Sequence, residues 1–74
     1  SKLDIDLNHG LLNINSNNEI QIIKIFNILG KELSFIEVNN KDYKMDLSDF
    51  QAGFYLISTK TENGESIQKI NIVK

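Results

Sequence analysis

The chain contains no cysteine, no proline, no tryptophan and no arginine. Without cysteine there is no disulfide staple and no thiolate metal site, although an exported protein can fold without either. Without arginine, the eight basic residues are lysines scattered singly along the chain. Nucleic-acid surfaces need clustered positive charge, so no nucleic-acid partner is expected. No apolar run approaches the ~20 residues that cross a bilayer as a helix, so direct membrane insertion is not expected. No charged-then-apolar segment opens the chain as a signal peptide would.

What is present fits one small domain covering residues 1–74. The formal net charge is −2. A chain this short buries only about 60–65% of its unfolded surface, so its stability margin is thin. The abrupt start at Ser1 is expected to be a cut from a longer secreted protein.

Strand signals dominate. Leu3-Asp4-Ile5-Asp6-Leu7 alternates strictly, apolar residues at odd positions and carboxylates at even ones, and reads as a half-buried strand. Asn8-His9-Gly10 breaks it. Leu11 to Asn15 reads as a second strand, stopped by the turn formers Ser16, Asn17 and Asn18. Ile20 to Leu29 reads as a third. Its Ile22, Ile25, Phe26 and Leu29 also fit a helical period, but the isoleucine content favours a pleated surface.

Gly30-Lys31 supplies the Gly-X chemistry of a two-residue type II′ hairpin leading into a fourth strand, Glu32 to Val38. Counting outward, that turn sets Ile25 opposite Ile36, Ile23 opposite Val38, Lys24 opposite Glu37, Phe26 opposite Phe35 and Ile28 opposite Leu33. A polar loop over Asn39 to Asp42 precedes a fifth strand carrying Tyr43, Met45 and Leu47. Ser48 to Gly53 reads as a compact connection, one helical turn with Ser48 as its N-cap, ending at a Gly53 of positive φ or close packing. Strands six (Phe54 to Thr61) and seven (Ser66 to Val73) flank Asn63-Gly64, a type I′ hairpin signal. This register sets Ile57 opposite Ile70 and Tyr55 opposite Ile72, all on the core face. The opposite face, with Ser58, Lys60, Lys69 and Asn71 plus Leu56 and Ile67, is expected to be wetter. Seven short strands without a long helix predict an all-β, antiparallel sandwich.

Candidate chemistry is sparse. His9, the single histidine, has no identifiable partner of the kind a general base needs and reads as a turn residue. Asp4 and Asp6 share a strand face, as a calcium pair would; alternating carboxylates are also what a solvated face or a protected sheet edge looks like, and that is the reading taken. No catalytic, metal or cofactor residue is assigned, and the chain reads as a non-enzyme. Tyr43, Tyr55, Phe26, Phe35, Phe50 and Phe54 could build a sugar-stacking platform, but alternation with polar neighbours favours core and edge packing. Phe26, Ile28, Leu33 and Phe35 would form an apolar contact patch if no strand or loop covers them; a covered arrangement is the expectation.

The ordered set NILGKEL, DLSDFQAGFYLI, Asn63-Gly64 and IQKINIVK at the chain end resembles the type A C-terminal sorting domain of type IX secretion cargo proteins. Gly30-Lys31 stands at that family's first marked hairpin, Gly53-Phe54-Tyr55 at its Gly-x-Tyr, and Lys69 to Lys74 at its final strand. The family's opening Pro-Asn-Pro-like segment has no counterpart; Asn8-His9-Gly10 stands in its place, and the role of Leu3–Leu7 is left open.

The resemblance implies a seven-stranded immunoglobulin-like β-sandwich acting as a non-enzymatic sorting signal. It implies export through the periplasm, recognition by the outer-membrane translocon, and a secreted or cell-surface cargo of a Gram-negative bacterium. In many members a sortase-like surface peptidase then removes the domain and anchors the cargo. Translocon recognition is expected to rest on Gly53, Tyr55, Lys69, Ile70, Ile72, Val73 and Lys74, with Gly30, Lys31, Asn63 and Gly64 as structural turns. A homodimer or strand swap of the isolated domain would involve Leu3–Leu7. The competing reading is a small adhesive or carbohydrate-binding β-sandwich appended to a secreted enzyme.

Overall fold

The computed structural model describes residues 2–74. It holds five antiparallel strands: β1 Leu3–Asn8, β2 Leu11–Asn27, β3 Glu32–Asp46, β4 Gly53–Thr61 and β5 Gly64–Ile72. They form one curled sheet in the order β1-β2-β4-β5, with β3 paired to β2 off that path. The all-β, antiparallel character follows the sequence reading. The strand number does not: five strands stand where seven segments were expected.

The difference has one cause. Ser16–Asn18 and Asn39–Asp42 are not loops but lie inside β2 and β3. Turn-forming composition is overridden because β2 is hydrogen-bonded along both flanks. Its first half pairs with β1 and with the end of β3. Its second half pairs with β4 and with the start of β3. In β3 the polar segment marks the point where the inward side chains change parity, and in β2 that change follows the polar segment. In β2, Leu12, Ile14 and Ile20 are buried, then Ile23 and Ile25. A register shift between Ile20 and Ile22 converts even positions to odd ones, as a β-bulge does by inserting one extra residue. In β3, Ile36 and Val38 pack on the core before Asn39, and Tyr43 and Met45 after it. Asn39 has a φ of 55°, a left-handed conformation that asparagine tolerates better than most residues.

The hairpins correct two expected registers. Between β2 and β3 the turn begins at Asn27, earlier than Gly30-Lys31. The Gly30 N–H donates to the Asn27 carbonyl at 3.0 Å, and the Asn27 N–H donates to the Lys31 carbonyl at 2.9 Å. The Asn27 side-chain oxygen accepts from the N–H groups of Leu29 and Lys31, both at 2.9 Å. Gly30, with a φ of 91°, takes the left-handed position that closes a three-residue loop. The register therefore moves by two over Ile22–Ile25: Ile23 faces Ile36, Lys24 faces Phe35, Ile25 faces Ser34 and Ile22 faces Glu37. A further shift after Ile25 sets Phe26 opposite Glu32 instead of Phe35, and Ile28 lies in the turn, not opposite Leu33. The Lys24–Glu37 cross-strand pair does not form; the Lys24 ammonium lies 5.7 Å from the Phe35 ring centre instead.

Between β4 and β5, Thr61 pairs with Gly64 across Glu62 and Asn63. A type I′ turn at Asn63-Gly64 would need positive φ at both residues, and only Gly64 has it, at 129°. Again the shift is two: Tyr55 faces Ile70, Ile57 faces Gln68 and Gly53 faces Ile72. An even shift leaves every side chain on its face, so Ile57, Ile70 and Ile72 are still buried. The turn with two positive φ values is His9-Gly10, at 53° and 79°, which joins β1 to β2.

The core comprises Leu12, Ile14, Ile20, Ile23, Ile25, Leu47, Ile57, Ile70 and Ile72. Leu3, Ile5 and Leu7 of β1 pack against it while half-exposed. The path's two outermost strands, β1 and β5, border the open side of the curl. At one end a cleft of about 210 Å³ brings Lys2 and Leu3 together with Gly64 and Ser66. At the other, a groove brings His9 and Gly10 together with Ile72 and Lys74. The starts of β1 and β5 thus lie at one end of the open side and their ends at the other.

Candidate recognition surface

The connection from β3 to β4 is held by several hydrogen bonds. The Leu47 N–H donates to the Gly10 carbonyl at 2.7 Å, and the Phe50 N–H to the Leu47 carbonyl at 3.0 Å. The Ser48 N–H donates to the Asp46 carboxylate at 2.9 Å. This backbone bond, followed by one from the Ser48 hydroxyl, holds the Asp46 carboxyl below its ordinary pKa, because both favour the charged form. At the far end, the Tyr55 hydroxyl donates to the Gln51 carbonyl at 2.7 Å. The Tyr55 ring meets Phe50 edge to face, with centroids 5.5 Å apart. The expected helical turn is absent, and Ser48 is a donor to Asp46 rather than an N-cap. Gly53 has a φ of 144°, where a side chain would be strained, with open space around it.

The residues assigned to recognition divide by burial. Ile70 and Ile72 are core residues, out of reach of a partner that meets the folded domain. Tyr55 is half-buried and its hydroxyl is taken up by Gln51. Lys69 is exposed, its ammonium 4.4 Å from the Phe54 ring centre. Val73 is 73% exposed. Lys74 is exposed, and its ammonium donates to the Ser48 carbonyl. The end of the chain is therefore accessible in its last two side chains and buried just before them.

The apolar set at the β2–β3 hairpin is not covered, contrary to the expectation. Ile28, Leu33 and Phe35 are 65%, 42% and 52% exposed, and Phe26 is half-buried. Sequence reasoning missed three further exposed residues: Leu11 at the start of β2, Leu29 in the turn and Phe54 on β4. Ile67 is exposed on the face expected to be wetter, where Ser58 is instead buried and donates to the Glu65 carboxylate. The alternation of Phe54 and Leu56 with Tyr55 and Ile57 carried that signal for β4. The aromatics do not share one platform. Phe50 and Tyr55 pair with each other, Phe35 and Phe54 carry lysines, and Tyr43 packs on the core.

His9 occupies its turn with a φ of 53°. Asp4 forms an ion pair with Lys2, at 3.5 Å on an exposed surface. Among the described residues no three of His, Asp or Glu come together as a metal site would require. One buried polar group stands out: the Thr59 hydroxyl, on a residue 1% exposed, has no hydrogen-bond partner among the described residues, and Thr59 lines the cleft that Lys2 and Leu3 share with Gly64 and Ser66.

No curated protein matches the chain. Residues 8–74, which take in the β1–β2 turn, the pinned connection and the terminal hairpin, match the family described as secretion system C-terminal sorting domain. The chain belongs to this family of type IX secretion sorting domains.

Proposed function

We propose that the folded domain is read by the type IX outer-membrane translocon through its C-terminal edge, with Lys69, Val73 and Lys74 as the contacting side chains. The observation that carries this is the family match running through the terminal hairpin to residue 74, where Val73 and Lys74 are exposed beside the pinned connection. Gly53, Tyr55, Ile70 and Ile72 act indirectly: they hold β4 and β5 so that the edge has one shape. β5 is the last strand of the path, and an unpaired edge can take a strand from a partner.

The apolar surface around Phe26, Ile28, Leu33 and Phe35 is a second contact of the same kind, since exposed apolar patches mark interaction sites. In this reading the two kinked strands make an immunoglobulin-like sandwich of the curl. Support comes from the Tyr55–Gln51 bond, which resembles the tyrosine corner of such folds. The cargo passes through the periplasm, and a sortase-like surface peptidase removes the domain and anchors the cargo.

The test is a periplasmically exported fluorescent protein carrying these 74 residues at its C-terminus, in a host with type IX machinery. Fluorescence should reach the medium or the cell surface and be lost in a translocon mutant. Removing Val73 and Lys74 should block export while the domain stays folded. Normal export of that truncated fusion would count against recognition at the terminus.

A further inference from the structure

We infer that the unpaired edge of β1 is an acceptor for an extended peptide of alternating apolar and basic residues, whose C-terminal end enters the cleft at Thr59. β1 lies ahead of all but the first residue matched by the family, so this edge is independent of the terminal-strand reading.

The edge is regular. β1 pairs with β2 from Leu3–Ser16 to Asn8–Leu11 without a register shift, whereas β3 is broken by shifts. A regular edge can extend its ladder by one more strand. Its inward residues Leu3, Ile5 and Leu7 pack on the core yet remain half-exposed. Apolar side chains from an added strand would complete their cover. Its outward residues Asp4 and Asp6 are exposed carboxylates. Cross-strand neighbours of opposite charge are favourable and like charges are not. A second β1 would set carboxylates against carboxylates, so the edge rejects its own copy and selects lysine or arginine at alternate positions.

The cleft fixes direction. It lies at the start of β1, lined by Lys2, Leu3, Ser16, Thr59, Gly64 and Ser66 among others. A strand added antiparallel to β1, the better-paired arrangement, ends there. A buried hydroxyl without a partner costs free energy, and the Thr59 hydroxyl is such a group. A serine or threonine at the end of the added strand can supply its hydrogen bond.

The experiment uses the isotopically labelled 74-residue chain and a synthetic peptide of alternating valine and lysine ending in serine. The same peptide with glutamate for lysine is the control. Amide shifts and hydrogen exchange should change along Leu3–Asn8 and at Thr59 and Ser66. The glutamate peptide should bind at least about fivefold more weakly, as two cross-strand charge pairs imply, and added salt should narrow that gap.

The double substitution Asp4→Lys, Asp6→Lys lies on the exposed face and should reverse the preference. Thr59→Val should weaken the serine-ended peptide but not one ending in alanine. Equal binding of both peptides, perturbation of β3 or β5 in place of β1, or no binding at all would overturn the proposal. None of these outcomes bears on secretion, which is read separately by the fusion.

Discussion

Lys74 reaches back across the fold to the backbone carbonyl of Ser48, tying the last residue to the connection that precedes β4. The bond is exposed, so Lys74→Ala should shift the urea midpoint by no more than the equivalent of ~1 kcal/mol. Export of the fluorescent fusion should nonetheless fall. Loss of export at unchanged stability separates a side chain that is read from one that merely holds the loop.

Tyr55 holds that same connection from the other end. Tyr55→Phe deletes the bond to Gln51 but keeps the edge contact with Phe50. A loss of ~0.5–1.5 kcal/mol is expected, with faster amide exchange confined to residues 48–52. Tyr55→Ala should cost more and perturb β5 as well.

Ile25 and Ile57 face each other across β2 and β4, and both are fully buried. Ile25→Val should cost ~0.5–1.5 kcal/mol and Ile25→Ala ~2–5 kcal/mol. In a domain of this size the alanine variant should be largely unfolded at room temperature, as circular dichroism in a denaturant series would show.

Asn39 carries a left-handed backbone inside β3. Asn39→Gly should be neutral or slightly stabilising. Asn39→Val should cost ~1–2 kcal/mol, since a side chain branched at Cβ resists that conformation. Equal midpoints for the two variants in thermal melts would show that the kink does not depend on this residue.

The lowered Asp46 pKa has a fixed sign. A carboxyl whose pKa is lower when folded stabilises the native state fully above its ordinary value near 3.8, and loses that contribution as pH falls through the folded value. An NMR titration should find Asp46 protonating below the usual aspartate range. Asp46→Asn should flatten the acid limb of the stability curve, and Ser48→Ala should move the Asp46 titration up.

Alternation alone makes the faces legible. Leu3-Ile5-Leu7 and Tyr55-Ile57 point inward as their periods require. The hairpin registers are harder to place, because a glycine of positive φ serves equally at the first position of a type II′ turn and at the close of a three-residue loop. Asn27, with a side chain that accepts two N–H groups, decides between them. Over the core-facing residues both hairpins differ from the expected register by two, so core membership is preserved.

Ser16–Asn18 and Asn39–Asp42 do not read as strand. Their composition favours turns, and the paired stretches of β2 and β3 that flank them hold them extended. The Ile22-Ile23 doublet is the visible trace of the bulge. The terminal recognition set is legible as a family pattern, but burial within it is not: Ile70 and Ile72 serve the core, while Val73 and Lys74 face outward.

Because the starts of β1 and β5 line one cleft and their ends line the other groove, Lys2 and Lys74 sit at opposite ends of the fold. Tension between the two chain ends therefore acts along the strand axes. The hydrogen bonds joining β1 to β2 share such a load together, in shear, where a pull across the sheet would open them one after another. The domain is a stiff mechanical link along the line between its two chain ends, and a soft one to any partner that peels it sideways.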